Sequence, residues 1–288
     1  MTELSIIILS YNTKDLLDSC LRSVLKNSKG QNFEIIVVDN ASTDKSVTMV
    51  KTKYPNVKII KSKKNLGFSA GNNLGLSKAI GKNILFLNSD TRVYGNSLYI
   101  MLKCLQSGGD IGILGPRLIN PDQSVQKSVG SFYSISNVAL MLFGGGRLGI
   151  LRGSPEKFTI VDWVSGSCMM IKRSVFDKVG LWDENLFMYM EEVELCYRAK
   201  QGGVQTGFCP DAVVEHKQLG SSQDGREQAI INIYKGLIYF YQKYYSRQQF
   251  SALMFLLKTK AFLAKLLGII AGNNELINTY DQALRLFI

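Results

Sequence analysis

The chain has 288 residues, 46% hydrophobic and 20% charged, enough apolar material for one large domain or a domain with an appendage. Its net charge of +11 suits an anionic ligand or an anionic membrane surface; no basic-aromatic motif for nucleic acid stands out. Five cysteines without a C-x-x-C pair exclude a zinc knuckle and point to reduced thiols in the cytosol. No run of ~18 uncharged apolar residues predicts a spanning helix, and no signal-peptide pattern precedes the first strand.

The elements begin in regular alternation. Residues 4–9 form a β-branched run that predicts a strand, and residues 14–26 carry Leu16, Leu17, Leu21, Val24 and Leu25 at helical spacing. A second buried strand over 34–38 ends at Asp39. Ser42 or Thr43 is placed to cap a helix reaching about Lys53, a third strand covers 57–60, and a helix is predicted over 69–80. Ile84-Leu85-Phe86-Leu87 is then an apolar run that stops on Asn88-Ser89-Asp90. Such a run predicts a strand buried on both faces of a parallel sheet. Strand, helix, strand in this rhythm predicts a doubly wound, mostly parallel α/β sheet over the first ~110 residues. Residues 111–114 add a strand. Residues 116–154 are rich in Gly, Ser and Asn and show no clear period, with Gly144-Gly145-Gly146 suggesting a flexible loop. A strand region at 161–171 and a helix at 191–201 come next, and from Arg226 the chain is predicted helical almost to its end.

In open α/β sheets ligands bind beyond the carboxyl ends of the strands. Asp90 therefore stands where a carboxylate can hold a divalent cation against a phosphate, or else in a turn that bonds only its own backbone. No G-x-G-x-x-G follows the first strand, and Gly81-Lys82-Asn83 does not complete a P-loop, which argues against dinucleotide oxidoreductases and P-loop NTPases. Polar strand ends stand in their place: Ser10-Tyr11-Asn12, Asp39-Asn40-Ala41-Ser42 and Asn88-Ser89-Asp90. Asp39 suits a base imide or ribose hydroxyl, and the small residues of 65–73 suit close approach of backbone to a ligand.

The ordered series SIIILSYN, IIVVDNASTD, NLGFSAGNN, LFLNSD, VSGSCMMIKRSVF and GLWDENLFMYMEEVELCYR resembles the family 2 glycosyltransferases of GT-A fold, most of all the bacterial rhamnosyltransferase type. The resemblance is colinear over residues 4–222. It implies a catalytic domain over 1–225, with a nucleotide-sugar half at about 1–115 and an acceptor half at about 116–225, and a separate basic, aromatic-rich helical tail at 226–288. It implies that Ser10, Tyr11, Asn12, Asp39 and Ser42 line the nucleoside pocket. Gly67, Asn72, Asn88, Ser89 and Asp90 lie toward the diphosphate and sugar of a dTDP- or UDP-linked donor. Asn88-Ser89-Asp90 stands where the family has Asp-x-Asp, so Asp90 is the expected ligand of Mn²⁺ or Mg²⁺. His216, the sole histidine, is its implied partner before the turn Leu219-Gly220-Ser221-Ser222. The general base is implied at Glu192, with Glu191 as the alternative, and acceptor contacts at Gly166, Trp182 and Asp183, with Ser167 beside the donor sugar. Trp163 and Trp182 are either sugar-stacking platforms or core residues.

The resemblance further implies an inverting transfer to a glycan or a polyprenyl-diphosphate-linked acceptor in cell-surface polysaccharide synthesis, carried out in the cytoplasm at the inner face of the membrane. In the tail, Tyr234, Tyr239, Phe240, Tyr241, Tyr244 and Tyr245 precede an apolar stretch interrupted by Lys258, Lys260 and Lys265. This pattern suits helices lying on an anionic bilayer surface, or packing on the catalytic domain or against a second copy in a homodimer. A non-catalytic sugar-nucleotide-binding or scaffold protein with a degenerate site is the alternative function.

Overall fold

The computed structural model describes residues 2–27, 32–144, 151–217 and 225–287, with the backbone alone at Arg226. In chain order the first part contains β1 (Leu4–Ser10), α1 (Lys14–Asn27), β2 (Phe33–Asp39), α2 (Ser46–Lys53), β3 (Lys58–Lys61), α3 (Gly67–Leu76), β4 (Asn83–Asn88), β5 (Thr91–Val93), α4 (Ser97–Ser107) and β6 (Ile111–Ile119). Then come β7 (Val129–Gly130), α5 (Ile135–Leu142), β8 (Arg152–Gly153), β9 (Thr159–Val161), β10 (Trp163–Val164), β11 (Cys168–Lys172), α6 (Arg173–Val179), α7 (Glu191–Gln201) and β12 (Gln205–His216). The chain ends in α8 (Gly225–Tyr244), α9 (Arg247–Ile270), α10 (Asn274–Leu284) and a 3₁₀ turn.

The main sheet runs β3-β2-β1-β4-β11-β6-β12-β5, with β9 also paired to β12. β1 is parallel to β2 and β4, β2 to β3, and β6 to β12. β11 lies antiparallel between β4 and β6, and β5 and β9 antiparallel to β12. The apolar runs in β1, β2 and β4 reflect cover on both faces. On one face Leu17, Cys20, Leu21 and Val24 of α1 and Leu98, Met101, Leu102 and Leu105 of α4 join a core with Ile6, Ile8, Leu85, Leu87 and Leu114. On the other, α3 lies close because glycines meet the strands. A Cβ on Gly71 would stand 2.5 Å from Leu9, and one on Gly75 2.5 Å from Ile7.

Local chemistry moves several predicted boundaries. α3 starts at Gly67 and ends at Leu76, before a tight turn in which Gly81 lies against the Ser5 backbone. α2 starts at Ser46, after left-handed Lys45 (φ 67°), and neither Ser42 nor Thr43 caps it. Instead the Asp44 carboxylate accepts from the Ser46 N–H at 3.0 Å and the Lys14 N–H at 2.8 Å, tying the starts of two helices together. α4 and β12 lack a prediction of their own, whereas α7 spans the predicted residues.

The chain divides into two compact units: Met1–Gly130, Gly153–Phe187 and Glu191–Ser221 in the first, and Ser131–Arg152, Met188–Met190 and Ser222–Ile288 in the second. In the second, α5, α8 and α10 pack on α9. Tyr234, Phe240 and Tyr241 are buried there, and the Tyr241 hydroxyl donates to the Tyr133 carbonyl at 2.7 Å. Tyr234, Phe240 and Tyr241 therefore belong to the core of this unit, while Tyr239, Tyr244 and Tyr245 are half-buried, and Lys265 pairs with Asp281 at 2.6 Å. The exposed apolar residues are others on α9: Phe255, Phe262, Leu266, Leu267, Ile269 and Ile270. Among the described residues no helix is long and apolar enough to cross a membrane. Gly144 is left-handed (φ 106°), while Gly145 and Gly146 lie outside the described residues.

Candidate active site

The register of three adjacent parallel strands gathers the polar motifs. Ser10 lies opposite Asp39, and Leu9 opposite Asn88, so the three strand ends form one edge. Left-handed Asn12 (φ 52°) and Ala41 (φ 70°) turn the chain there; Asn takes this conformation readily, whereas an alanine bears a backbone cost of about 1–2 kcal/mol. The Asn12 N–H donates to Ser42 Oγ at 2.9 Å, and its side-chain oxygen accepts from the Thr43 N–H at 2.7 Å. Asn12 and Ser42 thus brace two loops of this edge. Ser10 and Ser89 are buried and joined through Thr13, at 3.0 and 2.9 Å; they hold β1 to β4 rather than face outward.

Buried polar atoms mark where a ligand would be needed. Asp39 Oδ1 and Asn72 Nδ2 have no hydrogen-bond partner among the described residues, a costly state that a nucleotide or sugar hydroxyl relieves. Gly67 supplies no such opening: a Cβ there would collide with the Phe187 carbonyl oxygen, which accepts from the Phe68 N–H at 2.7 Å. The room it leaves is taken by chain.

Asp90 is placed by the turn after β4, and β5 pairs with β12 so that Thr91 faces His216. The Lys217 N–H donates to the Asp90 carbonyl at 3.0 Å, and His216 Nε2 comes within 3.5 Å of Asp90 Oδ1. The Asp90 side chain is 1% exposed and that of His216 14%. Burial lowers the His216 pKa, an effect the Asp90 charge opposes. Among the described residues no group of three or more His, Cys, Asp and Glu converges. A carboxylate oxygen and an imidazole nitrogen at this spacing still fit a divalent cation whose other ligands are phosphate or water oxygens, and the mixed donor set favours Mn²⁺ over Mg²⁺.

The acidic cluster opens α7. Glu194 is buried and accepts two bonds from Arg198, at 2.7 and 2.8 Å, which removes it from contention as a base. Glu191 is buried, with Oε2 lacking a hydrogen-bond partner; burial, helped by the neighbouring Glu192 charge, pushes its pKa well above the ordinary value. Glu192 is less buried, and a Cβ built on Gly166 would stand 3.5 Å from its Cβ. The carbonyl of Ser167, next along, accepts from the Asn88 N–H at 2.9 Å, so the Gly166 loop links α7 to the end of β4. Tyr189 (φ 72°) and Met190 (φ 75°) are left-handed just before α7, backbone strain of roughly 1–3 kcal/mol each that tends to collect at functional sites.

A family model described as Glycosyl transferase family 2 matches residues 5–180. The chain belongs to this family. A low-salt glycan biosynthesis hexosyltransferase of Haloferax volcanii is 29% identical over 222 residues, 76% of this chain and 68% of that one. An N-acetylglucosaminyl-diphospho-decaprenol L-rhamnosyltransferase of Mycobacterium tuberculosis is 27% identical over 253 residues, 78% and 79% of the two chains. GalNAc-T7, solved with UDP, GalNAc and Mn2+, superposes with a TM-score of 0.60 at 20% identity, over 84% of this chain and half of that one (50%). The fold is GT-A, with a mostly parallel sheet and C-terminal helices.

Not every residue expected to touch substrate in this glycosyltransferase is placed to do so. Trp182 is 2% exposed and stacks edge-on to Phe68 and Phe86, with centroids at 5.4 and 5.1 Å; its rings offer no face to a sugar. Trp163 is equally buried. The Asp183 carboxylate accepts from Asn185 at 3.1 and 2.9 Å in a local turn, beside the loop that Asn73 clamps through the Trp182 backbone and Glu184. Tyr11 is half-buried at the strand edge. The turn Leu219-Gly220-Ser221-Ser222 lies outside the described residues. Sequence reasoning missed Gln126, which contacts His216 from a segment with no readable period; its only signal was the turn-forming Asn120-Pro121-Asp122 ahead of it.

Proposed function

We propose that the protein transfers a hexose, rhamnose being the first candidate, from a dTDP- or UDP-linked donor to a hydroxyl of a glycan or polyprenyl-diphosphate-linked acceptor, inverting the anomeric configuration. The observation that carries this reading is the meeting of Asp90 and His216 at the end of β4, on the same strand edge as the unsatisfied Asp39. The hexosyl- and rhamnosyltransferase relatives, one named for a decaprenol-linked substrate, support the sugar and acceptor classes.

In the proposed step the Glu192 carboxylate takes the acceptor hydroxyl proton, the oxygen bonds to the anomeric carbon from the face opposite the leaving group, and the bond to the diphosphate breaks. Glu191, held toward its neutral form by burial, keeps a second negative charge away from the base. Asp39 holds the base or ribose, and Asn72 a sugar or phosphate oxygen. Asp90 and His216 would hold Mn²⁺ or Mg²⁺, whose positive charge would favour departure of the diphosphate. The exposed apolar residues of α9 would rest on an anionic bilayer from the cytoplasmic side, bringing the enzyme to a lipid-linked acceptor.

A donor panel with Mn²⁺ and with chelator, read as nucleoside diphosphate release, tests the reading. Activity with one or two donors, lost on chelation and in Asp90→Ala, is the expected result; full activity in Asp90→Ala would remove the site assignment. Flotation with vesicles containing anionic lipid, weakened by Phe262→Asp with Ile270→Asp, tests the surface.

A further inference from the structure

We infer that Gln126 is a positioning residue: it fixes the Nδ1–H tautomer of His216 and so aims a bare Nε2 at the Asp90 carboxylate. This rests on the proposed cation site but concerns a residue outside it. β6 ends at Ile119, and the chain reverses through Asn120-Pro121-Asp122-Gln123, with left-handed Gln123 (φ 69°) and the Asn120 N–H donating to the Ser124 carbonyl at 2.8 Å. The returning strand carries Gln126, whose N–H donates to the Leu118 carbonyl at 2.9 Å. Its side chain is thereby delivered, buried, against the end of β12.

The amide orientation is dictated by its surroundings. The nitrogen end has only acceptors around it: the His216 carbonyl at 2.5 Å, Asn120 Oδ1 at 2.7 Å and the Ile119 carbonyl at 3.4 Å. Asn120 Oδ1 is itself fixed as an acceptor, because the Asn120 amide nitrogen donates to Ser124 Oγ at 2.8 Å. A flipped Gln126 would set oxygen against three oxygens. The oxygen end, an acceptor only, is then the atom 3.2 Å from His216 Nδ1. Nδ1 must carry the hydrogen, and in a neutral ring Nε2 is left as a lone pair 3.5 Å from a carboxylate oxygen. Two acceptors held face to face are a poor pair for each other and a good pair for a cation. Gln126 grips both ends of one residue, backbone carbonyl and ring, so the ring's direction is fixed before any ligand arrives. Partners of this kind on the second ring nitrogen typically change metal affinity 10- to 100-fold when removed.

Because His216 is the only histidine, tag-free ¹⁵N-labelled protein gives a single imidazole in a long-range ¹H–¹⁵N spectrum, and the tautomer is read without metal or substrate. The expected wild-type spectrum, at a pH where the ring is neutral, has a pyrrole-like Nδ1 and a pyridine-like Nε2, the reverse of the preference of free histidine. Gln126→Leu should lose that pattern and weaken Mn²⁺ binding, followed by the electron paramagnetic resonance of free Mn²⁺, by about 10- to 100-fold. In a His216→Ala background, Gln126→Leu should change Mn²⁺ affinity no further. A pyrrole-like Nε2 in the wild type overturns the inference even if no variant folds, and so does an unchanged tautomer in folded Gln126→Leu. The expected tautomer in a wild type that binds no Mn²⁺ overturns the cation site instead, leaving the positioning role intact.

Discussion

Gly67→Ala separates two costs that the fold combines at one position. Gly67 has a left-handed φ of +76°, and a Cβ there would collide with the Phe187 carbonyl oxygen and lie 2.5 Å from the Phe187 ring. The left-handed backbone costs an alanine about 1–2 kcal/mol, and overpacking against Phe187 adds about 1–3 kcal/mol. The variant should therefore lose roughly 2–5 kcal/mol. Gly95 is the control: its φ is +49° and no atom lies within 4 Å of the added carbon, so Gly95→Ala should cost only the backbone share, about 1–2 kcal/mol. Urea denaturation of both variants gives the difference, about 1–3 kcal/mol. Gly67→Ala should also slow transfer, since Phe187 lies in the loop leading to α7, while Gly95→Ala leaves the rate unchanged. Equal losses of stability in the two variants would refute the argument that Gly67 exists to admit Phe187.

Glu192→Gln should lower kcat by about 10²–10⁴-fold with nucleotide affinity preserved; comparing turnover with calorimetric binding of nucleoside diphosphate checks this, and a variant turning over at the wild-type rate would move the base to Glu191. Glu191 is held above its ordinary value of 4.5 by burial and by Glu192, so the folded state keeps its proton longer than the unfolded one. Its contribution is fully present below pH 4.5 and is lost as pH rises toward the raised folded value. Wild type should accordingly lose stability across that window relative to Glu191→Gln, and parallel stability–pH curves would contradict the assignment. Trp182→Ala should cost about 3–5 kcal/mol in urea, with Trp182→Phe recovering much of it; a stable Trp182→Ala whose acceptor KM alone rises would return Trp182 to the acceptor site.

The parts of the fold that could be read from the sequence are those in which one segment answers to one physical demand. β1, β2 and β4 are buried on both faces, so their apolar runs announced them, and the parallel register brings their polar ends to one sheet edge. α7 was readable because acidic residues at a helix start and apolar residues at helical spacing both belong to the segment itself. β12 answers to several partners at once. Its register against β6 shifts between Cys209 and Val213, and it pairs with β5, β6 and β9 in turn, so Gly207, Pro210 and Asp211 interrupt any period. Trp182 carried no mark of its burial, since the same side chain serves a sugar platform or a core, and Phe68 and Phe86 decide between them. Asp90 was legible from its place at the end of β4, whereas its pairing with His216 came from resemblance alone. Its physical origin is the register of Thr91 against His216, a property of two strands far apart in the chain. The same register explains why Gln126 escaped notice. A glutamine in an aperiodic segment has no chemistry until β6, its hairpin and β12 bring the amide to the ring, and only then does the direction of one hydrogen bond decide what the histidine can hold.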